Sequence, residues 1–272
     1  MAVVQVGTTE VRPDASDAPI FVSGIPRSGT TWMQWFLCQH PEIHVHGQLP
    51  PFDWQAGWEW YHQLVAAGSS AARSNAEIAY PIPHYAGSDE EWCRRLFAQF
   101  LRGFLCGFAP EKPRWGIKSL KWCVEPGVVP QVETLWPEAR WVVCIRDPFL
   151  AIASEKNTFR PDVDLNAAAR GWVEICEFAH RHDPRRTVVF QIDQVADEEQ
   201  RARATAQVLE CIGAAHTPET LQAIREFPVI HQVKPSEQRS FEFSTDAKQR
   251  LLDEVPGLRP WMQQMGYNPS GG

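Results

Sequence analysis

The chain has no apolar run of about 18 residues, the length a membrane-spanning helix needs. Its first 17 residues are polar, with no charged segment leading into an apolar one. Neither membrane insertion nor a secretory leader is expected, and a cytoplasmic protein is. There is no Cys-x-x-Cys pair, and the seven cysteines (38, 93, 106, 123, 144, 176 and 211) are odd in number. A zinc ribbon and a thioredoxin-type pair are therefore unsupported. Most of these cysteines stand among apolar residues, as Cys144 does between Val143 and Ile145, and are expected as small core side chains. Positive charge is short too, with 26 Lys and Arg against 33 Asp and Glu and a formal net charge of −7. That balance excludes a protein that holds nucleic acid or an anionic membrane by bulk positive charge. Lysine is scarcest, six residues against twenty arginines, so a lysine at a motif position is unusually informative.

No repeat, low-complexity stretch or linker interrupts the 272 residues, of which 44% are hydrophobic and 22% charged. Such a chain can bury a sizeable core. We expect a flexible leader over residues 1–17 and one domain over 18–272. The 12 tryptophans are the compositional excess.

Residues 18–23 read as a short buried strand, 24–29 as a tight loop and 30–39 as an apolar helix that stops before His40-Pro41. A second helix fits 58–67. Ser88 with Glu91 forms a capping box that opens a helix over 89–108. Strands are expected at 114–118, 140–145 and 187–192. Helices are expected at 128–136, from Pro148 onward, and at 164–182, 197–213, 217–226 and 245–254, with Pro148 and Pro218 at N1 positions. Strands alternating with helices predict an α/β fold of three layers around a central, mainly parallel sheet.

The strongest motif is Gly24-Ile-Pro-Arg-Ser-Gly29-Thr30-Thr31-Trp32. It follows a predicted strand and opens a predicted helix, the context that makes a phosphate loop credible. A glycine-bounded turn lets backbone N–H groups point into one concavity. The helix N-terminus adds partial positive charge, and the Thr30 and Thr31 hydroxyls can donate to the same oxygens. The glycine spacing is that of a Walker A loop, but Thr30 stands where that loop has lysine, and the cation has moved inside, to Arg27. An ordinary Mg²⁺-dependent kinase or ATPase is disfavoured.

A second anchor lies in Arg140-Trp-Val-Val-Cys-Ile-Arg146-Asp-Pro, with Ser154 eight residues after Arg146. A buried strand delivers Arg146 at its C-terminal end, and the following helix carries Ser154. In a parallel sheet that is the edge where ligands bind. An arginine with a hydroxyl suits a phosphate monoester, and a surface Arg146–Asp147 pair is the bland alternative.

Together the two segments resemble the sulfotransferases that use 3′-phosphoadenosine-5′-phosphosulfate (PAPS), in their bacterial-type branch. Residues 26–32 match the family's P-R-S-G-T-T-W loop at every position, and Arg146 and Ser154 match its 3′-phosphate motif in type and spacing. Trp115-Gly-Ile-Lys118-Ser119 is similar to the branch's W-G-x-K-T. The resemblance spans about residues 18–213. Gln191 departs from it, standing where an adenine-contacting tyrosine is usual, and Lys234 and Arg239 keep only a weak echo of the closing loop. The resemblance implies a P-loop NTPase-like fold and a PAPS site formed by Arg27, Ser28, Gly29, Thr30, Thr31, Trp32, Arg146, Ser154 and Arg239. It also implies in-line transfer of a sulfuryl group with no metal required, for which Arg27 and Lys118 are the candidates to stabilise the transferred and leaving groups.

The general base is less marked. Leu120 and Gln48 occupy the places where two branches of the family have His and Glu. Ile43-His44-Val45-His46, if extended, turns both histidines to one side, and an imidazole suits proton abstraction near neutral pH. His46, nearer the loop, is favoured over His44, with Asp53, His62 and His84 behind them. The pair has no third ligand at metal-binding spacing.

Phe52, Trp54, Trp58, Trp60 and Tyr61 can line a pocket for a planar or lipophilic acceptor or pack as core. The acceptor is expected to be a small hydroxyl- or amine-bearing molecule. A small-metabolite kinase and a non-catalytic nucleotide-binding relative stay open as alternatives.

Overall fold

The computed structural model describes residues 18–47, 56–63, 65–66, 90–106, 112–218, 220, 222 and 241–269. The elements, in chain order, are β1 (Ile20–Gly24), α1 (Thr30–Gln39), β2 (Ile43–His46), α2 (Glu90–Cys106), β3 (Arg114–Lys118), α3 (Val128–Leu135), β4 (Arg140–Ile145), α4 (Pro148–Thr158), α5 (Leu165–Arg181), β5 (Thr187–Gln191), α6 (Glu198–Cys211), α7 (Thr245–Glu254) and α8 (Leu258–Gln264). Residues 56–63 are also helical, and Ile192–Ala196 form a 3₁₀ turn between β5 and α6. The expected leader, Ser88 of the capping box and most of the helix expected at 217–226 lie outside the described residues.

The strands form one sheet in the order β2-β3-β1-β4-β5, every pair parallel. Parallel neighbours need crossover helices, which cover both faces and make the strands apolar throughout. Ile20, Phe21, Val22, Ser23 and Gly24 are accordingly all buried in the central strand. Alternation along the strands splits the core in two. Phe21, Trp115, Ile117, Trp141 and Val143 pack against α2, α3 and α5. Ile20, Val22, Ile43, Val45, Val142 and Cys144 pack against α1 and α6. Phe21 stacks on Trp141 with ring centroids 4.7 Å apart, and Trp32 on Phe190 at 5.2 Å.

Trp32, Trp115, Trp122, Trp141 and Trp172 are buried, so much of the tryptophan excess is core. Cys93, Cys123, Cys144 and Cys176 are buried free thiols, and burial pushes the Cys123 thiol up to about 11, as expected of inert core cysteines. Among the described residues no helix is long and apolar enough to cross a membrane.

Helix starts follow local chemistry. Asp147, Asp164, Asp197 and Ser244 cap α4, α5, α6 and α7, accepting from Leu150, Ala167, Gln200 and Ala247 N–H. Helix α8 is not anticipated from the sequence. Its Pro260 sits in the first turn, where a missing N–H costs no intrahelical bond.

Candidate active site

Because all five strands run the same way, their C-terminal ends share one edge. His46, Lys118 and Gln191 end β2, β3 and β5, Arg146 follows β4, and the loop of residues 25–29 follows β1. The described candidate residues gather there, with Ser154 entering from α4. Arg239 lies outside the described residues.

The loop is held by its own sequence. Ser28 N–H donates to the Ile25 carbonyl at 3.3 Å and Ser28 Oγ to the same oxygen at 2.7 Å. Pro26 and Arg27 occupy the centre of this turn. Arg27 has φ 66°, a left-handed conformation that costs an L-residue about 1–2 kcal/mol. The Ser28 hydroxyl and N–H thus both lock the turn internally. Gly29, with φ 95°, precedes α1 and leaves its first turn without a side-chain cap. A Cβ on Gly29 would lie 2.7 Å from Ile192 Cβ, and one on Gly24 would lie 2.5 Å from the Cys144 carbonyl oxygen. Close packing therefore fixes both glycines of the motif, and the positive φ fixes Gly29 as well. Gly29→Ala is expected to lower stability by about 2–4 kcal/mol in urea unfolding, from left-handed strain plus overpacking. A loss under about 1 kcal/mol would show that this contact does not set the loop.

Arg27 reaches across to α4. Its Nε donates to Ser154 Oγ at 2.9 Å, and its guanidinium lies 5.3 Å from the Phe159 ring centroid. Burial and the nearby Arg146 charge hold Arg27 below the ordinary arginine range. Arg146 Nε lies 3.6 Å from Asp193 Oδ1. Asp147 does not take up the surface pairing with Arg146; it caps α4 through Leu150 N–H at 3.0 Å. On the other side of the loop, Lys118 Nζ donates to Thr31 Oγ1 at 3.3 Å, and burial lowers its pKa. Thr30 and Trp32 are buried, with the Trp32 ring stacked between Phe36 and Phe190. Two guanidinium groups near each other, an ammonium and several hydroxyls at a helix start suit a compact polyanion.

Strand β2 is extended as the alternation implied. Ile43 and Val45 are buried, while His44 and His46 are half-buried on the other face. The two imidazoles meet at 4.3 Å between ring centroids. Val45 N–H and C=O, at the sheet edge, are engaged by Cys38 and Gln34 of α1, which pins the strand. His46 Nε2 is buried with no hydrogen-bond partner among the described residues. Burial, then His44, lowers the His46 pKa.

Of the aromatic stretch, Trp58 and Tyr61 stack at 4.9 Å, and buried Tyr61 packs on Phe97 of α2 at 5.3 Å. These two form a helix-packing contact; Trp60 is 45% exposed. Trp58 also meets His62 edge-on at 5.2 Å. Gln48, Phe52, Asp53, Trp54, His84 and Lys234 lie outside the described residues. Among the described residues no group of three or more His, Cys, Asp or Glu gathers as a metal site. Sequence reasoning missed Asp193, Trp172 and Tyr267 around Arg146. The only local signal was an acid two residues past the end of β5.

The sequence profile of the Sulfotransferase family matches residues 19–214. A Caenorhabditis briggsae protein named as a protein-tyrosine sulfotransferase is 28% identical over 141 residues, half of this chain and 41% of that one. The chain thus spans less than half the length of that curated relative. Among solved structures, the sulfotransferase domain of the Synechococcus PCC 7002 olefin synthase superposes with a TM-score of 0.51 at 16% identity, over 93% of this chain and 96% of that one. A sulfotransferase from Alicyclobacillus acidocaldarius superposes with a TM-score of 0.50 at 13% identity, over 92% and 96%. At such identities the likeness is one of fold.

Proposed function

Because the chain belongs to the sulfotransferase family, we propose that it transfers a sulfuryl group from PAPS to a hydroxyl or amine of a small acceptor, aromatic or lipophilic in character. The observation that carries this reading is Arg27, bonded to Ser154 and near enough to Arg146 to feel its charge, beside the uncapped start of α1. Like charges are brought together where an anion with two phosphate-bearing positions would separate and satisfy them.

The acceptor oxygen or nitrogen attacks sulfur in line, the bond from sulfur to the 5′-phosphate oxygen breaks, and 3′,5′-adenosine bisphosphate (PAP) leaves. Negative charge grows on the leaving phosphate. Arg27, Lys118 and the α1 N–H groups stabilise it, while the acceptor proton passes to His46. Arg146 and Ser154 hold the 3′-phosphate. The formal net charge of −7 favours a small, weakly anionic acceptor over a sulfated polymer. We place this activity in the cytoplasm.

A thermal-shift comparison of PAP, PAPS, ADP and ATP–Mg²⁺ tests the donor. PAP and PAPS are expected to raise the unfolding midpoint by several degrees, as saturating ligands with affinity for the native state alone do, and Arg146→Ala to abolish that shift. Stronger stabilisation by ATP–Mg²⁺ would establish a kinase instead. A PAP shift without sulfate transfer to any phenol, alcohol or amine in a panel would mark a non-catalytic relative.

A further inference from the structure

Around Arg146 a set of contacts closes on itself, drawn from three distant parts of the chain. The Arg146 carbonyl accepts from Trp172 Nε1 at 2.9 Å. Its side-chain Nε faces Asp193 Oδ1 at 3.6 Å. The other oxygen, Asp193 Oδ2, accepts from Tyr267 OH at 3.0 Å and from Asp147 N–H at 3.2 Å. Tyr267 belongs to the turn after α8 and returns to Trp172, their rings meeting at 6.3 Å. That turn is itself tied to the end of β5, since Gln191 Nε2 donates to the Met265 carbonyl at 2.6 Å, and Tyr267 N–H donates to Met262 at 2.8 Å.

We propose that Asp193 and Tyr267 are positioning residues that aim Arg146 at the 3′-phosphate of the donor, so that the C-terminal turn completes the donor site. This rests on the PAPS reading given above. A free arginine side chain carries about 2 kcal/mol of rotamer entropy. Asp193 restrains it from the Nε side, which leaves the two terminal nitrogens to form a paired contact with a phosphate. A carboxylate so near a phosphate would repel it if it were free to approach. Here one oxygen is occupied by two donors, and the other is directed at the guanidinium. Tyr267 keeps the carboxylate on the Nε side. The hydroxyl contributes nothing to the nucleotide directly, and its effect passes through Asp193 to Arg146.

Titration calorimetry with PAP and with adenosine 5′-monophosphate, which lacks the 3′-phosphate, tests this. Wild type is expected to prefer PAP by at least tenfold. Tyr267→Phe keeps the ring against Trp172 and should weaken PAP about fivefold, while Asp193→Asn should weaken it ten- to thirtyfold. These are losses of the size expected for one hydrogen bond and one charged contact in a network. Both variants should bind the monophosphate within twofold of wild type. A merely structural tie would move both ligands together, and that result, or unchanged PAP affinity, overturns the positioning role. Tighter PAP binding by Asp193→Asn would overturn it as well, by showing that the carboxylate opposes the phosphate. Failure of wild type to distinguish the two nucleotides would instead sink the PAPS reading on which the proposal rests. If Asp193→Asn fails to fold, the Tyr267→Phe comparison decides alone.

Discussion

Arg27→Gly and Arg27→Ala are each expected to cut kcat/KM for sulfuryl transfer about 10²–10³-fold, the loss measured when one preorganised transition-state donor is removed, yet the glycine variant is expected to be the more stable of the two. Arg27 combines a left-handed backbone, φ 66°, with a guanidinium held against Ser154 and Phe159 and disfavoured by burial and by Arg146. Glycine would occupy this turn position without cost, and the arginine stands there with strain. Both variants delete the charge, the Ser154 bond and the ring contact, so these effects cancel in the comparison. What differs is the backbone. Alanine keeps the left-handed penalty of about 1–2 kcal/mol, and glycine removes it at an unfolded-state cost of about 0.4–1 kcal/mol. The difference, about 0.5–1 kcal/mol, corresponds to roughly 1–4 °C in unfolding midpoint for a chain of this size. Equal activities with a higher midpoint for Arg27→Gly would separate the charge from the strain that carries it. A glycine variant less stable than the alanine variant would show that the turn relaxes without Arg27.

The loop and its partner strand were legible because their chemistry is local. Pro26, Arg27, Ser28 and Gly29 build a turn from four consecutive residues, and Arg146 and Ser154 are placed by one strand end and one helix. The parallel sheet followed in the same way, from apolar strands separated by helices. Even β2 was readable once extension was assumed, because Ile43 and Val45 alternate with His44 and His46. What escaped was contact between segments remote in the chain. Nothing near Tyr267 announces that its hydroxyl serves Asp193, and although Pro148 at N1 makes Asp147 the N-cap of α4, nothing there says that Arg146 will face Asp193. Composition was equally blind to place. The tryptophan count suggested an acceptor pocket, but Trp115 and Trp141 point into the core from β3 and β4, the strands on either side of β1, and Trp172 joins core packing with a hydrogen bond beneath Arg146. A tryptophan's large apolar body fits all of these roles, and only the sheet register distinguishes them.

That register also bears on the base. His46 pairs with Ile117, and Lys118 pairs with Val22, so His46 and Lys118 leave the sheet edge from opposite faces. An acceptor bridging the ends of β2 and β3 would meet the imidazole on one side and the ammonium near Thr31 on the other, as in-line transfer with separate base and leaving-group partners requires. His46→Ala is therefore expected to lower kcat at least about 100-fold, the lower range for loss of a general base, with PAP affinity unchanged. The pH profile adds a sign. Burial and His44 depress the His46 pKa below the ordinary histidine value of 6.5, so the neutral, proton-accepting form persists into mild acid. Wild-type kcat should stay level as pH falls through 6.5 and decline only below it. His44→Ala removes a positive neighbour, lets the His46 pKa rise, and should move that acid limb to higher pH. An unshifted limb in His44→Ala would assign the titration to another group, and near-normal kcat in His46→Ala would remove His46 from proton transfer. Among the described residues the buried Nε2 has no partner, which favours the catalytic outcome, since an unsatisfied buried nitrogen costs about 1–3 kcal/mol and an acceptor hydroxyl is the hydrogen-bond donor that would satisfy it.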